Sequence, residues 1–130
     1  MIKNQYEQAV FDILTKQDSP ESSQALYDKH CSDDCLWENT GFPPAKGREQ
    51  INLLLKSLYD NDYYSLDQTV RHMMSDGNVV MAERYEKMLR KDGSVIAEFM
   101  IVGVFEFDDN GQICAWRDYY DFTIAQKAFL

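Results

Sequence analysis

An α+β fold, with helices gathered on one face of a curved sheet, is what this 130-residue sequence predicts. Three observations carry that expectation. Apolar residues recur at helical spacing through the first half of the chain and alternate at strand spacing through the second. The length also suits one core and would starve two, so residues 1–130 read as a single domain.

The elements follow in order. Ile2, Tyr6, Ala9, Val10, Ile13 and Leu14 put one apolar stripe on a helix ending near Gln17. Ser19-Pro20-Glu21 supplies an N-cap, a proline at the first helical position and an early acid, opening a second helix through His30. A short strand is expected over Cys35 to Asn39, then a loop from Thr40 to Gly47 punctuated by prolines and glycines. Ile51, Leu54, Leu55 and Leu58 share one face of a third helix, residues 48–59. Strands are expected over residues 64–74, 78–91, 94–107 and 112–122, all rich in β-branched and aromatic residues. Asp92-Gly93 reads as a two-residue type I′ turn, Asp108 to Gly111 as a four-residue loop, and Gly103 as a mid-strand bend.

Thirteen basic against twenty-two acidic residues leave a net charge of -9, which repels phosphate backbones and anionic lipid. Neither nucleic acid nor a membrane is an expected partner. No apolar run reaches membrane-spanning length, and the polar start MIKNQYEQAV lacks the apolar core of an export signal, so a cytoplasmic location is expected. Cys31, Cys35 and Cys114 form an odd set that suits free thiols in a reducing compartment. His30 beside Cys31 and Cys35 has neither a CxxC pair nor a second histidine cluster, so no metal site is expected. His72, near Met73 and Met74, reads as packing.

The two turns set a register. Pairing about Asp92-Gly93 sets Glu86 opposite Phe99, Arg84 opposite Ile101 and Ala82 opposite Gly103. Pairing about residues 108–111 sets Gly103 opposite Trp116 and Ile101 opposite Asp118. Arg84, Glu86 and Asp118 then share the apolar sheet face, because side chains alternate with period two. Buried charges cost several kcal/mol unless paired, so stability alone gives weak reason to keep them. Either they form an internal ion-pair network beneath a filled core, or they line a functional cavity. Two carboxylates joined by an arginine suit coupled proton transfer, one ionised as base and the other protonated as acid.

Trp37-Glu38-Asn39, Phe42-Pro43-Pro44-Ala45-Lys46-Gly47-Arg48, Glu83-Arg84-Tyr85-Glu86, Gly103-Val104-Phe105 and Trp116-Arg117-Asp118-Tyr119-Tyr120-Asp121 together resemble the limonene-1,2-epoxide hydrolase family. The resemblance spans nearly the whole chain. It implies a cone-shaped α+β roll, shared with nuclear transport factor 2, ketosteroid isomerases and SnoaL-like polyketide cyclases. In that roll a curved mixed sheet carries the three N-terminal helices on its concave face, with a pocket between them, and the protein is usually a homodimer. It further implies that Asp118 takes a proton from water, that Asn39 helps hold the water, and that Arg84 bridges Asp118 to Glu86. Glu86 would protonate the epoxide oxygen, with no metal, cofactor or covalent intermediate. Two departures stand out: the family's second acid is normally aspartate, and its water-holding tyrosine is here Trp37.

Register and resemblance together suggest a pocket lined by Phe11, Leu14, Met88, Phe99, Ile101 and Tyr120, suited to a small apolar substrate. The expected function is cofactor-free hydrolysis of an epoxide to a vicinal diol. An isomerase or cyclase of the same fold, or a non-catalytic small-ligand-binding dimer, are the alternatives. A strip of Met100, Val102, Val104, Ile113 and Ala115 on the opposite sheet face is the expected dimer surface.

Overall fold

A computed structural model describes residues 2–130. Helices α1 (Gln5–Thr15) and α2 (Pro20–His30) lead into strand β1 (Cys31–Asn39) and the two-residue β2 (Ala45–Lys46). Helix α3 (Gly47–Asp60) is followed by β3 (Ser65–Asp76), β4 (Val79–Leu89), β5 (Val95–Phe107), β6 (Ile113–Tyr119) and a C-terminal helix α4 (Phe122–Phe129).

Local chemistry explains the helix starts. Asn4 caps α1 by accepting from the Glu7 N–H, which leaves Ile2 ahead of the helix and exposed. Ser19 and Ser22 form a reciprocal capping box at α2, with Pro20 in the first turn. Strand β6 ends at Tyr119, short of the expected residue 122, and helix α4, which was not expected, follows. Asp121 caps it by accepting from the Thr123 N–H, and Ala125 is buried beneath it.

The six strands form one mixed sheet in the order β2-β1-β6-β5-β4-β3, with β1 parallel to β6 and every other pair antiparallel. The helices pack on one face, as expected, but the sheet is not strongly curled, which corrects the cone-shaped, curved roll. Twist accumulates from strand to strand across a sheet, and only the β3, β4 and β5 side is long here, at 12, 11 and 13 residues, before the sheet narrows to 7 in β6 and 2 in β2. The sheet stays open, with β2 and β3 as its edges.

The first hairpin keeps the expected register, with Arg84 opposite Ile101 and Glu86 opposite Phe99, through a different turn. Gly93 alone takes a positive φ, 88°, and Asp92 does not, so a type I′ turn is excluded. A three-residue loop, Lys91 to Gly93, is closed by Arg90 N–H donating to Ser94 O, and a register shift between Met88 and Leu89 absorbs the extra residue. In the second hairpin Asp108 N–H donates to Gln112 O, so the loop is one residue shorter than expected, and a shift between Glu106 and Phe107 adds one more; together they move the pairing by two residues, setting Gly103 opposite Asp118 and Phe105 opposite Trp116. An even displacement preserves the face of every side chain beyond the shift. Ile113 lies on the near side of that shift and is buried in the core, and Val104 is buried without joining either core cluster, so neither is an exposed residue of the outer strip.

One core cluster joins Val10, Ile13 and Leu14 of α1 to Ile51 and Leu55 of α3 and to Val80, Phe105 and Trp116 of the sheet. A second gathers Tyr63, Met88, Phe99 and Ile101 beneath α4.

Candidate active site

Arg84, Glu86 and Asp118 meet on the helix-covered face, all buried. The Arg84 Nη2 donates to Asp118 Oδ2 at 2.8 Å and lies 4.0 Å from Glu86 Oε1. Arg84 projects from β4 and Asp118 from β6, so the contact must cross β5. It does so over Gly103, where an added Cβ would sit 2.7 Å from Arg84 Nη1 and 2.8 Å from Asp118 Oδ1. Pairing runs unbroken through Gly103, so this glycine supplies room rather than the expected bend.

Two further residues brace the group, and two more stand beside it. Gln68, in register with Glu86 on β3, accepts from Arg84 Nε at 2.6 Å. Trp116 Nε1 donates to Asp118 Oδ1 at 2.9 Å. On β1, Trp37 stands beside Trp116 and Asn39 beside Asp118. The Trp37 Nε1 is buried and has no hydrogen-bond partner within the protein.

Burial pushes the Glu86 carboxyl up to about 7, Arg84 opposing and Asp118 reinforcing the shift. At neutral pH Glu86 is therefore divided between acid and base forms. Burial alone would lower the Arg84 pKa, but the Asp118 and Glu86 carboxylates outweigh it and hold the guanidinium charged. Burial raises the hydroxyls of Tyr63 and Tyr120, with Glu86 next in effect on Tyr63 and Asp118 on Tyr120, so both remain neutral donors.

A cavity of about 280 Å³ opens over this cluster, between the sheet, α3 and α4. Trp37, Asn39, Glu86 and Asp118 form its polar end. Met88, Phe99, Ile101 and Tyr120 line its apolar part, joined by Leu58 and by Phe129 of α4. Phe11 and Leu14 lie elsewhere: Leu14 belongs to the core under α1, and Phe11 packs against that core. The helical stripe placed Leu14 on the inner face without saying which part of the interior it meets, and Phe11 came only with the suggested pocket lining. Gln68, Trp116 and the α4 residues were not foreseen. Trp116 is two residues from Asp118 and so shares its face, and an Asp121 cap before Phe122, Ala125 and Phe129 is a readable helix signal.

His72 is exposed at the edge strand and meets Glu83 Oε1 through Nδ1 at 2.8 Å. All three cysteines are free thiols. Among the described residues, no group of three or more His, Cys, Asp or Glu side chains is arranged to hold a metal ion. No described helix is long and apolar enough to cross a membrane.

The family model for the limonene-1,2-epoxide hydrolase catalytic domain matches residues 8–130. The epoxide hydrolase EphG of Mycobacterium tuberculosis is 32% identical over 114 residues, spanning 88% of this chain and 70% of that protein. The solved structure of an M. tuberculosis LEH-like epoxide hydrolase superposes with a TM-score of 0.73 at 27% identity, over 93% of this chain and 86% of that one. A putative SnoaL-like polyketide cyclase from Jannaschia sp. CCS1 gives a TM-score of 0.77 at 13% identity, over 98% and 96% of the two chains, a likeness of fold alone.

Proposed function

Since the chain belongs to the limonene-1,2-epoxide hydrolase catalytic domain family, we propose that it adds water to a small apolar epoxide to give a vicinal diol. The observation that carries this reading is the Arg84 guanidinium, 2.8 Å from Asp118 and 4.0 Å from Glu86, at the polar end of an otherwise apolar cavity.

Asp118 acts as the base. It takes a proton from a water held beside Asn39 while the water oxygen attacks one epoxide carbon. The breaking C–O bond leaves charge on the ring oxygen, and Glu86 in its acid form supplies the proton that makes it a hydroxyl. Arg84 lies between the two carboxyls and stabilises whichever is ionised. The Trp37 N–H can donate to the water oxygen but cannot accept from it, so the water's protons are directed by Asn39 and Asp118. The proton gained by Asp118 and the one lost by Glu86 balance, and the site resets when one is returned to the other. This route uses no cofactor and no covalent intermediate.

The same reading includes a homodimer built on the outer sheet face. Met81, Met100, Val102 and Tyr119 are exposed there on three adjacent strands, and Val102 is in register with Tyr119.

The test is a panel of small apolar epoxides with detection of diol. Asp118→Asn should stay folded and lose most turnover, because an amide cannot take the proton. In a single turnover in ¹⁸O-water, the label should appear in the diol; first-turnover oxygen from a protein carboxylate would establish a covalent route instead. Undiminished hydrolysis by Asp118→Asn would remove the base assignment.

A further inference from the structure

We propose that Trp116 is a positioning residue for Asp118, its indole N–H fixing the orientation in which that carboxylate meets the water. The inference rests on the reading of Asp118 as the base. Trp116 and Asp118 are two residues apart on β6 and point to the same face, and the indole N–H donates to Oδ1 at 2.9 Å. Arg84 holds the other oxygen, Oδ2, at 2.8 Å. A carboxylate gripped at one oxygen can swing about its terminal torsion, which is broad and two-fold; one gripped at both cannot. An ionised carboxylate has about four lone-pair positions, so two donors leave others free for the water.

The donor is itself immobile. The Trp116 ring is buried, stacked on Tyr27 at 5.7 Å and packed against Phe105 at 4.8 Å and Trp37 at 5.7 Å. A buried indole N–H ordinarily finds a partner. Trp37 Nε1, buried beside it, finds none within the protein, so the two tryptophans divide the work: Trp116 holds the carboxylate and Trp37 faces the cavity. The indole does not titrate, and it can only donate, so this constraint persists at every working pH. The other charged or titratable groups that face Asp118 are Arg84 and Glu86 from β4, Tyr27 from α2 and Tyr120 just beyond β6.

Two substitutions separate the N–H from the ring. Trp116→Phe removes the donor and part of the packing, while replacing the Trp116 indole by its sulfur isostere, benzothiophene, removes only the donor. Both should lower kcat by about ten- to a hundredfold with KM changed by less than about twofold, since misorientation of a reacting group acts on the transition state. A role in packing alone would leave the isostere with wild-type kcat and KM, and that result would overturn the proposal.

A second arm needs no turnover. In ¹⁵N-labelled protein the Trp116 indole N–H signal should sit downfield and exchange slowly, and Asp118→Asn should shift it. An unchanged signal overturns the tie between the two residues. If wild type converts no epoxide, the hydrolase reading fails, and this signal still decides whether Trp116 positions Asp118.

Discussion

Gly103→Ala is the sharpest probe of the site, because a single methyl would occupy the space through which the charges meet. The new Cβ would lie 2.7 Å from Arg84 Nη1, 2.8 Å from Asp118 Oδ1 and 2.9 Å from Phe105 Cε1. Ordinary contact is about 3.5 Å, so these atoms must retreat by roughly 0.7 Å. None has an easy retreat: Arg84 and Phe105 are fully buried, and Asp118 is held by two donors. Alanine offers about 0.4–1 kcal/mol through a less flexible unfolded chain. Overpacking costs about 1–3 kcal/mol, and breaking the buried ion pair about 3–5 kcal/mol. With both costs incurred the expected net loss is about 3–7 kcal/mol, read as a lower midpoint in urea with an unchanged slope. Moving the base by that distance should also cost on the order of a hundredfold in diol formation. The backbone at Gly103 is not in the left-handed region, so strain does not confuse the result. A Gly103→Ala protein with wild-type stability and turnover would refute the close passage of Arg84 over β5.

Three further outcomes are expected. Arg84→Ala should destabilise by about 3–5 kcal/mol and abolish turnover, because it leaves two buried carboxyls without their cation; chemical denaturation and the diol assay check this. Glu86 binds a proton in the fold up to about pH 7, against 4.5 when free. Wild-type stability should therefore be fullest at the acid end of that window and fall by about 3 kcal/mol as pH rises through it. Glu86→Gln should remove that slope and be the more stable protein at pH 8, and a wild-type minus variant difference that stays flat from pH 4.5 to 8 would refute the raised carboxyl. By light scattering at tens of micromolar the chain should run as a dimer and Met100→Lys with Val102→Lys as a monomer, whereas a monomeric wild type would remove the outer-face interface.

The sites of the secondary structure were largely legible because their signals are local. Ser19-Pro20 opens α2, and the stripe of Ile51, Leu54, Leu55 and Leu58 marks α3, through chemistry contained within a few residues. The first hairpin was read through the wrong turn yet reached the right register, because the shift near Leu89 absorbed the difference. The second hairpin differs from the expected pairing by two residues, one from a shorter loop that Asp108 closes on Gln112 and one from the bulge between Glu106 and Phe107, which no loop residue announces. That the sheet is not strongly curled was likewise hidden, since strand length in the sequence does not say which neighbours a strand will have.

By itself, the sequence determined that Arg84 and Glu86 share one face, because side-chain alternation is a property of the strand; Asp118 joins them because the shorter loop and the bulge, one residue each, add to an even shift. The resemblance of its motifs to a known family was also written there. Only the tertiary structure decided that Arg84 reaches Asp118 across Gly103, that Trp116 and Gln68 grip the pair, and that α3 and α4 enclose the cavity while Phe11 and Leu14 are left out. Those are distances between segments far apart in the chain. They are fixed by bulges, helix rotations and packing against the whole core, none of which is encoded in the order of neighbouring residues alone.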